Sequence, residues 1–373
     1  MLKVMLIIGT RPEAIKMASV ARALRQRFDE FHTTVVYTGQ HRELLDQMTG
    51  VLDLRPDADL RVMSDNQSLS TLTARLLLGI DQILDANQPQ VVLAQGDTAT
   101  VVAAGLACFY RKIPFEHVEA GLRTGDLRRP FPEEGNRRIS GVLATHHFAP
   151  TEQARANLLA EGVPEQCIEV TGNTVIDTLQ RIIEAPVALP FTCPDGPWIL
   201  VTLHRREGFG TPFVKVLRAL RAVLAIRPDV MAIYPAHPNP NARAIVEYEL
   251  SDCPNVQLIE PLCYDQFVTA MSAATVILSD SGGVQEEAPS VQTPLLIARE
   301  MTERPEGVDA GLAELVGYDT DLIQRRLLET IDMPRTTPAR VQGAQSNPYG
   351  DGYAANRIVD SLRRRYRTNE GPS

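Results

Sequence analysis

Three carboxylates stand just past short apolar runs: Asp97 in Gln95-Gly-Asp97-Thr, Glu119 in Glu119-Ala-Gly-Leu-Arg-Thr, and Glu133 in Pro130-Phe-Pro-Glu-Glu134. Carboxylates gathered in one cleft do not titrate independently. Crowding raises at least one pKa and sets a neutral acid beside an ionised base, which is what proton transfer needs. Each has a plain structural reading: Asp97 as a helix cap, Glu119 in an ion pair, Glu133 in a solvated first turn. Three of them at successive strand ends favour acid–base chemistry.

Cations and glycines occupy similar places. Arg11 and Lys16, in Gly9-Thr-Arg-Pro-Glu-Ala-Ile-Lys16, flank the start of a helix whose free N–H groups attract anions. The segment is not Gly-x-Gly-x-x-Gly, so a dinucleotide site loses its main support; a proline-started helix with surface cations is the simpler alternative. His204, Arg205 and Arg206 follow another apolar run and suit a pyrophosphate. His237 lies in a proline-rigidified turn, Pro235-Ala-His237-Pro-Asn-Pro240, and serves either a ligand or a backbone hydrogen bond. In Asp280-Ser281-Gly282-Gly283-Val-Gln-Glu286-Glu287, glycines admit close approach, Ser281 adds a hydroxyl, and the helix that follows offers its positive end. Phosphate binding is the natural reading there, with Glu287 a turn further on for the hydroxyls of a ribose. Arg304, in Thr302-Glu-Arg304-Pro-Glu306, follows one more strand.

Short β-branched runs alternating with helical patterns must position these groups. Strands are expected at 4–8, 34–37, 91–94, 114–118 and 147–149, then at 198–202, 231–234, 256–259, 275–278 and 294–297. Helices are expected at 14–27, 70–86, 100–110, 136–144 and 152–161. Alternation of this kind implies parallel sheets covered on both faces, in an α/β chain of two Rossmann-like, doubly wound domains facing a cleft. Ligands of such sheets sit beyond the carboxyl ends of the strands. Prolines 186, 190, 194 and 197 mark the boundary, giving domains 1–184 and 185–352, with an arginine-rich last helix, 353–369, packing back on the first.

Composition narrows the function classes. The 373 residues are 44% hydrophobic and 22% charged, which suits two globular domains. A formal charge of −9 gives no general attraction to nucleic acid or anionic lipid, so an anionic ligand needs a local cluster. Five scattered cysteines without Cys-x-x-Cys argue against a disulfide framework and fit a reducing compartment. The apolar start at residues 1–9 is too short for a signal peptide. The stretch 91–110 is broken by Gln95-Gly-Asp97, so a cytoplasmic protein without a membrane span is expected. The seven histidines lack ligand spacing, and neither a metal nor a cofactor is expected.

Taken in order, these motifs resemble the bacterial non-hydrolysing UDP-N-acetylglucosamine 2-epimerase family. They include Gly39-Gln-His-Arg42, His117-Val-Glu-Ala-Gly-Leu-Arg-Thr124, Val170-Thr-Gly-Asn-Thr-Val-Ile-Asp177, His204-Arg-Arg-Glu207 and Asn347-Pro-Tyr-Gly-Asp-Gly352 beside those above. The resemblance implies the GT-B-like pair of Rossmann domains and interconversion of UDP-N-acetylglucosamine and UDP-N-acetylmannosamine without metal or nicotinamide. It carries catalytic roles to Asp97, Glu119, Glu133 and His204. Contacts to the nucleotide or its phosphates fall to Arg11, Lys16, His237, Phe267, Ser281, Gly282, Gly283, Glu287 and Arg304, with Phe267 as the ring under uracil. It further implies a homodimer activated by UDP-N-acetylglucosamine at a second site, whose segments include Gln40, His41 and Arg205. Leu203, Gly208, Gly307 and the turn 291–293 depart from the commoner family pattern.

A sugar C2 proton has no adjacent carbonyl to acidify it. The implied route therefore begins with loss of UDP from C1, forming a glycal, and ends with re-addition. Inverting C2 needs acid–base groups on both faces, a task expected of Asp97 and Glu119 with help from Glu133. Hydrolysing 2-epimerases, a GT-B glycosyltransferase and a non-catalytic sugar-nucleotide sensor are the alternatives.

Overall fold

The computed structural model describes residues 1–39, 50–64, 67–203, 210–236, 240–333 and 347–367. The chain divides into two compact units, Met1–Thr178 with Tyr349–Ser373, and Leu179–Pro348. The division falls inside the helix Thr174–Glu184, and the proline-rich segment 186–197 forms neither helix nor strand.

Among the described residues the first unit carries a seven-stranded sheet. Its strands are β1 (Leu2–Ile8), β2 (Phe31–Tyr37), β3 (Ala58–Asp59), β4 (Val91–Gln95), β5 (Phe115–Val118), β6 (His146–Ala149) and β7 (Ile168–Val170). They lie in the order β3-β2-β1-β4-β5-β6-β7, every pair parallel. The second unit carries β8 (Trp198–Thr202), β9 (Met231–Pro235), β10 (Val256–Ile259), β11 (Val276–Ser279), β12 (Leu295–Ile297) and β13 (Ala313–Leu315). These run in the order β10-β9-β8-β11-β12-β13, again all parallel. In each sheet the strand order reverses once, between β1 and β4 and between β8 and β11. Those are the topological switch points where open α/β sheets leave a crevice at the strand carboxyl ends.

Central strands are buried nearly throughout, which is why they read as continuous apolar runs: all of β1 except Lys3 is buried, as are all of β4 and β11. The helix Leu69–Asn87 contributes Leu72, Leu76, Ile80 and Leu84, one residue per turn, to the core over β1 and β4. The second core gathers Val201, Leu217, Leu220, Val223, Tyr234, Leu278 and Leu327.

Three strands went unforeseen, and all lie at sheet edges. β3, β7 and β13 are two or three residues long with one acidic residue each, so they carry no periodicity. The helix expected over 136–144 is Glu133–Leu143, with Pro132 at its cap, because proline suits the entry to a helix. That earlier start sets Glu133 on the first turn.

The last helix, Ala354–Arg367, belongs to the first unit and packs on the helix Arg11–Gln26. Asp177 receives the backbone N–H groups of Ala354 (3.2 Å) and Ala355 (2.8 Å), fixing where it begins. Its arginines explain themselves by burial. Arg365 forks onto the fully buried Glu116 with two bonds of 2.7 Å, and the Tyr366 hydroxyl donates to the same carboxylate at 2.7 Å. Arg363, more than half exposed, reaches Glu30 at 3.1 Å. Removing one partner of a buried pair strands the other charge, whereas exposed pairs contribute little. Arg365→Ala is therefore expected to lower the unfolding free energy by roughly 3 kcal/mol, and Arg363→Ala by less than about 1 kcal/mol, in urea titrations.

Candidate active site

The strand ends of the first unit converge on Glu119. This residue follows β5 directly and has φ +62°, a backbone state that a residue other than glycine seldom holds without surrounding support. The support is visible. Lys16, one turn into the helix after β1, pairs with Oε1; Gln95, the last residue of β4, donates to Oε2; and Asn173, beyond β7, donates to Oε1 at 2.9 Å. Asn173 is itself fixed, its N–H bonded to the Tyr349 carbonyl at 2.6 Å. Both Lys16 and Glu119 side chains are at most a tenth exposed. The Glu119 ion pair, which the sequence left as the structural alternative, is thus real and lies at the strand ends.

Asp97 sits one residue beyond Gly96, whose φ is +88°; a Cβ at Gly96 would stand 3.7 Å from Glu119 Oε2. Asp97 and Glu119 are thereby brought to the same corner, on the β4 side of the switch point. Asp97 is not the helix cap; Thr98 holds that position for the helix Ala99–Arg111. Its Oδ2 instead takes Arg137 Nε (2.9 Å) and Nη2 (2.7 Å), and its carbonyl takes Asn136 Nδ2 (2.8 Å). Arg137 is steadied by Glu134, which is fully buried and also receives the N–H groups of Thr124 (3.1 Å) and Gly125 (3.3 Å). Of the two adjacent glutamates, Glu134 is the structural anchor. Glu133 is half-buried and makes no hydrogen bond or ion pair among the described residues.

The raised carboxyl of this corner is Glu13, outside the three expected carboxylates, and burial rather than crowding is the main cause. Only 2% exposed, Glu13 accepts from Gly9 N–H (2.6 Å) and from the Thr10 hydroxyl (3.0 Å). Burial lifts its pKa to about 7, with the Asp97 charge adding to the rise. Nearby, His117 bonds the Gly96 carbonyl at 2.7 Å, and burial lowers its pKa to about 4, so a neutral imidazole steadies the Asp97 turn.

In the second unit, Ser281 heads the helix Gly282–Val291 directly beyond β11, and its side chain makes no capping bond. Gly283 keeps ordinary space around it: an added Cβ would meet Glu287 Oε1 at 3.5 Å and Ser281 Oγ at 3.9 Å. Its lack of a side chain bares the helix start rather than relieving a clash. Glu287 is buried, and Phe267 lies half-buried in the helix Tyr264–Ala273. Arg304 is tightly engaged by carboxylates: Nε reaches Glu286 (2.5 Å) and Nη1 reaches Glu303 (2.6 Å), while Arg299 holds the other oxygen of Glu303 (2.8 Å). Arg11 is half-buried at the first turn of its helix. His204, Arg205, His237, Gln40 and His41 lie outside the described residues.

The family model described as UDP-N-acetylglucosamine 2-epimerase matches residues 22–363. A UDP-N-acetylglucosamine 2-epimerase of Yersinia pestis is 46% identical over 377 residues, covering 97% of this chain and 98% of that one. The chain belongs to the UDP-N-acetylglucosamine 2-epimerase family. The crystal structure of the UDP-GlcNAc 2-epimerase from Neisseria meningitidis bound to UDP-GlcNAc superposes with a TM-score of 0.91 at 42% identity, over 97% of this chain and all of that one. At 14% identity and a TM-score of 0.64, the glycotransferase of kitacinnamycin shares the fold alone. The motif resemblance and the two-unit parallel α/β architecture are both borne out.

No helix among the described residues is long and apolar enough to cross a membrane. Gln95, Asn173, Arg137, Glu134 and Glu13 hold the family's corner together, and the sequence offered a signal for few of them. Glu13 follows Pro12 and Glu134 stands two residues after Pro132, both at helix starts, where an acidic residue ordinarily needs only the helix dipole to explain it.

The Glu13 carboxyl leaves a thermodynamic mark. Its folded pKa of about 7 lies above the ordinary 4.5 of a glutamate, so the stability tied to its proton is complete below pH 4.5 and lost as pH rises through 7. His117, His146 and His147, pushed down by burial to about 4, 3 and 3, act oppositely and destabilise the fold as pH falls below 6.5. A comparison with Glu13→Gln cancels the histidines. The variant's advantage in unfolding free energy is expected to grow from near zero at pH 4.5 to about 3 kcal/mol above pH 7, read by denaturant titration at each pH.

Proposed function

We propose that the chain is a non-hydrolysing epimerase. It interconverts UDP-N-acetylglucosamine and UDP-N-acetylmannosamine reversibly at C2, through elimination of UDP to a glycal and its re-addition. The observation that carries this reading is Glu119, held in a strained backbone state with its carboxylate between Lys16, Gln95 and Asn173. The substrate class rests on family membership and on the Neisseria relative, whose crystal structure holds UDP-GlcNAc.

Loss of UDP from C1 leaves positive charge there and makes the C2 proton acidic. Arg11 and Lys16 supply positive potential for the departing pyrophosphate, the kind of preorganised interaction that dominates such barriers, and in the second unit the bare helix start at Ser281 is a ready anion site. A phosphate taken up by Lys16 competes with Glu119 for the ammonium, so substrate binding itself frees the carboxylate to act as a base. Asp97 and Glu119 divide the proton transfers between the two faces of the sugar, with Glu133 assisting. In the same reading His204 belongs to the catalytic group; Phe267, Glu287, Gly282, Gly283, His237 and Arg304 hold the nucleotide; and Gln40, His41 and Arg205 serve a second, activating UDP-N-acetylglucosamine.

Turnover in deuterated water is expected to place deuterium at C2 of a sugar still joined to UDP, read by NMR and mass spectrometry. Free UDP released in step with free sugar would assign the hydrolysing reaction instead. Glu119→Gln and Asp97→Asn are each expected to lose about 10²–10⁴ in kcat, with near-normal turnover removing that residue from the proton transfers.

The proposal includes a homodimer. Phe109 and Tyr110 on the helix Ala99–Arg111, and Ile139 and Val142 on the adjacent helix Glu133–Leu143, are large apolar residues left 49–87% exposed. Patches of this kind mark association surfaces. Sedimentation is expected to give a dimer, and Val142→Glu a monomer of unchanged circular dichroism.

A further inference from the structure

Two sequence motifs, 170–177 and 347–352, have no part in the proposed chemistry, yet the fold lays them against each other. Asn173 is 2% exposed, and both ends of its side-chain amide are committed. Nδ2 donates to Glu119 Oε1 at 2.9 Å, and Oδ1 accepts the Val175 N–H at 3.1 Å. Turned over, the amide would set oxygen against the carboxylate and its NH2 against an N–H, so one orientation is fixed. The Asn173 backbone N–H donates to the Tyr349 carbonyl at 2.6 Å. Glycines on both sides admit this approach. A Cβ on Gly172 would meet Gly350 Cα at 3.2 Å, and one on Gly350 would meet the Asn173 nitrogen at 3.3 Å.

The chain returns to the first unit at Tyr349, and Asn347, two residues earlier, belongs to the second. Asn347 Nδ2 donates to the Glu286 carbonyl at 2.9 Å and to Ser290 Oγ at 2.7 Å, both on the helix Gly282–Val291. The proposed function gives the first turn of that helix to the nucleotide. Only Pro348 separates the two anchors, and its ring removes one backbone rotation. We propose that Asn347-Pro348-Tyr349 is a strap coupling the nucleotide helix to Glu119, with Asn173 as the positioning residue at its far end. A nucleotide held at the helix start biases the place of that helix and of Asn347 with it. Tyr349 passes the bias to the Asn173 N–H, and the Asn173 amide passes it to the carboxylate. When a phosphate draws Lys16 away, Asn173 and Gln95 remain to keep Glu119 aimed. The strap rests on the reading of Glu119 as a base and of the helix as the nucleotide's, and one arm of its test needs no turnover.

In that arm the side-chain amide signal of Asn173, assigned by its loss in Asn173→Ala, is followed by NMR as UDP is added to saturation. It is expected to shift in the parent, and by less than about half as much in Asn347→Ala. An unmoved signal in the parent, or the full shift in Asn347→Ala, overturns the strap. With UDP-N-acetylglucosamine, Asn173→Ala is expected to lose roughly 10–100-fold in kcat, the size of one hydrogen bond to a charged group. Asn347→Ala is expected to lose about tenfold, with KM changing less than kcat in both. The double variant should fall no further than Asn173→Ala alone; losses that multiply make the two residues independent and overturn the strap. A parent idle with this substrate sinks the proposed function and leaves the UDP arm to decide. If Asn347→Ala does not fold by circular dichroism, Ser290→Ala, which removes a partner of the same side chain, takes its place in both arms with the same expectations.

Discussion

One buried carboxylate organises the first unit. Glu119 draws on the helix after β1 through Lys16, on the end of β4 through Gln95, on its own turn after β5, and on the segment beyond β7 through Asn173. Four segments of a parallel sheet that share no local sequence are thus registered on one charge. A carboxylate this enclosed is tolerable only when a cation and further donors meet it, because desolvation otherwise exceeds the attraction. The requirement is mutual, since Lys16 is equally enclosed. Strain at φ +62° persists because four independent segments over-determine it.

The same economy recurs around Asp97 and Arg304. Arg137 sits between Asp97 and Glu134, and Arg304 between Glu286 and Glu303. Buried pairs of this kind contribute orientation more than net stability. An arginine fixed by two carboxylates keeps its planar fork in one place. Glu134 extends the idea to the backbone: by receiving the N–H groups of Thr124 and Gly125, it binds the turn before its helix to the arginine that steadies Asp97.

Sequence made the strands legible where burial is complete and failed at the edges. β1, β4 and β11 announce themselves as apolar runs, while β3, β7 and β13 have too few residues to show a pattern. The charged corner was half legible. Asp97 and Glu119 stand at the first positions after strands, so reading each strand forward finds them. Asn173 and Arg137 do not, since their roles depend on which segments the fold brings together. Glu13 was hidden for a different reason. An acidic residue in a helix's first turn already has an electrostatic explanation, and only burial reveals that this one is short of solvent and of a cation.

Helix starts give the least obvious sign of where the chain is prepared for an anion. Among the described residues three helix starts are closed by a side chain: Ser68 accepts from Thr71, Thr151 from Ala154, and Asp319 from Leu322, whereas Pro132 and Arg304 head their helices without one. The helices that follow β1, β4, β8 and β11, the four strands at the two switch points, begin at Thr10, Thr98, Gly210 and Ser281 with no side-chain cap bond. Three of those four are residues able to cap, and a missing cap forgoes about 1 kcal/mol. Local propensity therefore does not explain the pattern. N–H groups not bound to a cap can meet an oxyanion without first being released. In a chain carrying a formal −9, such unspent dipoles supply positive potential without adding a side-chain charge that the neighbouring carboxylates would neutralise.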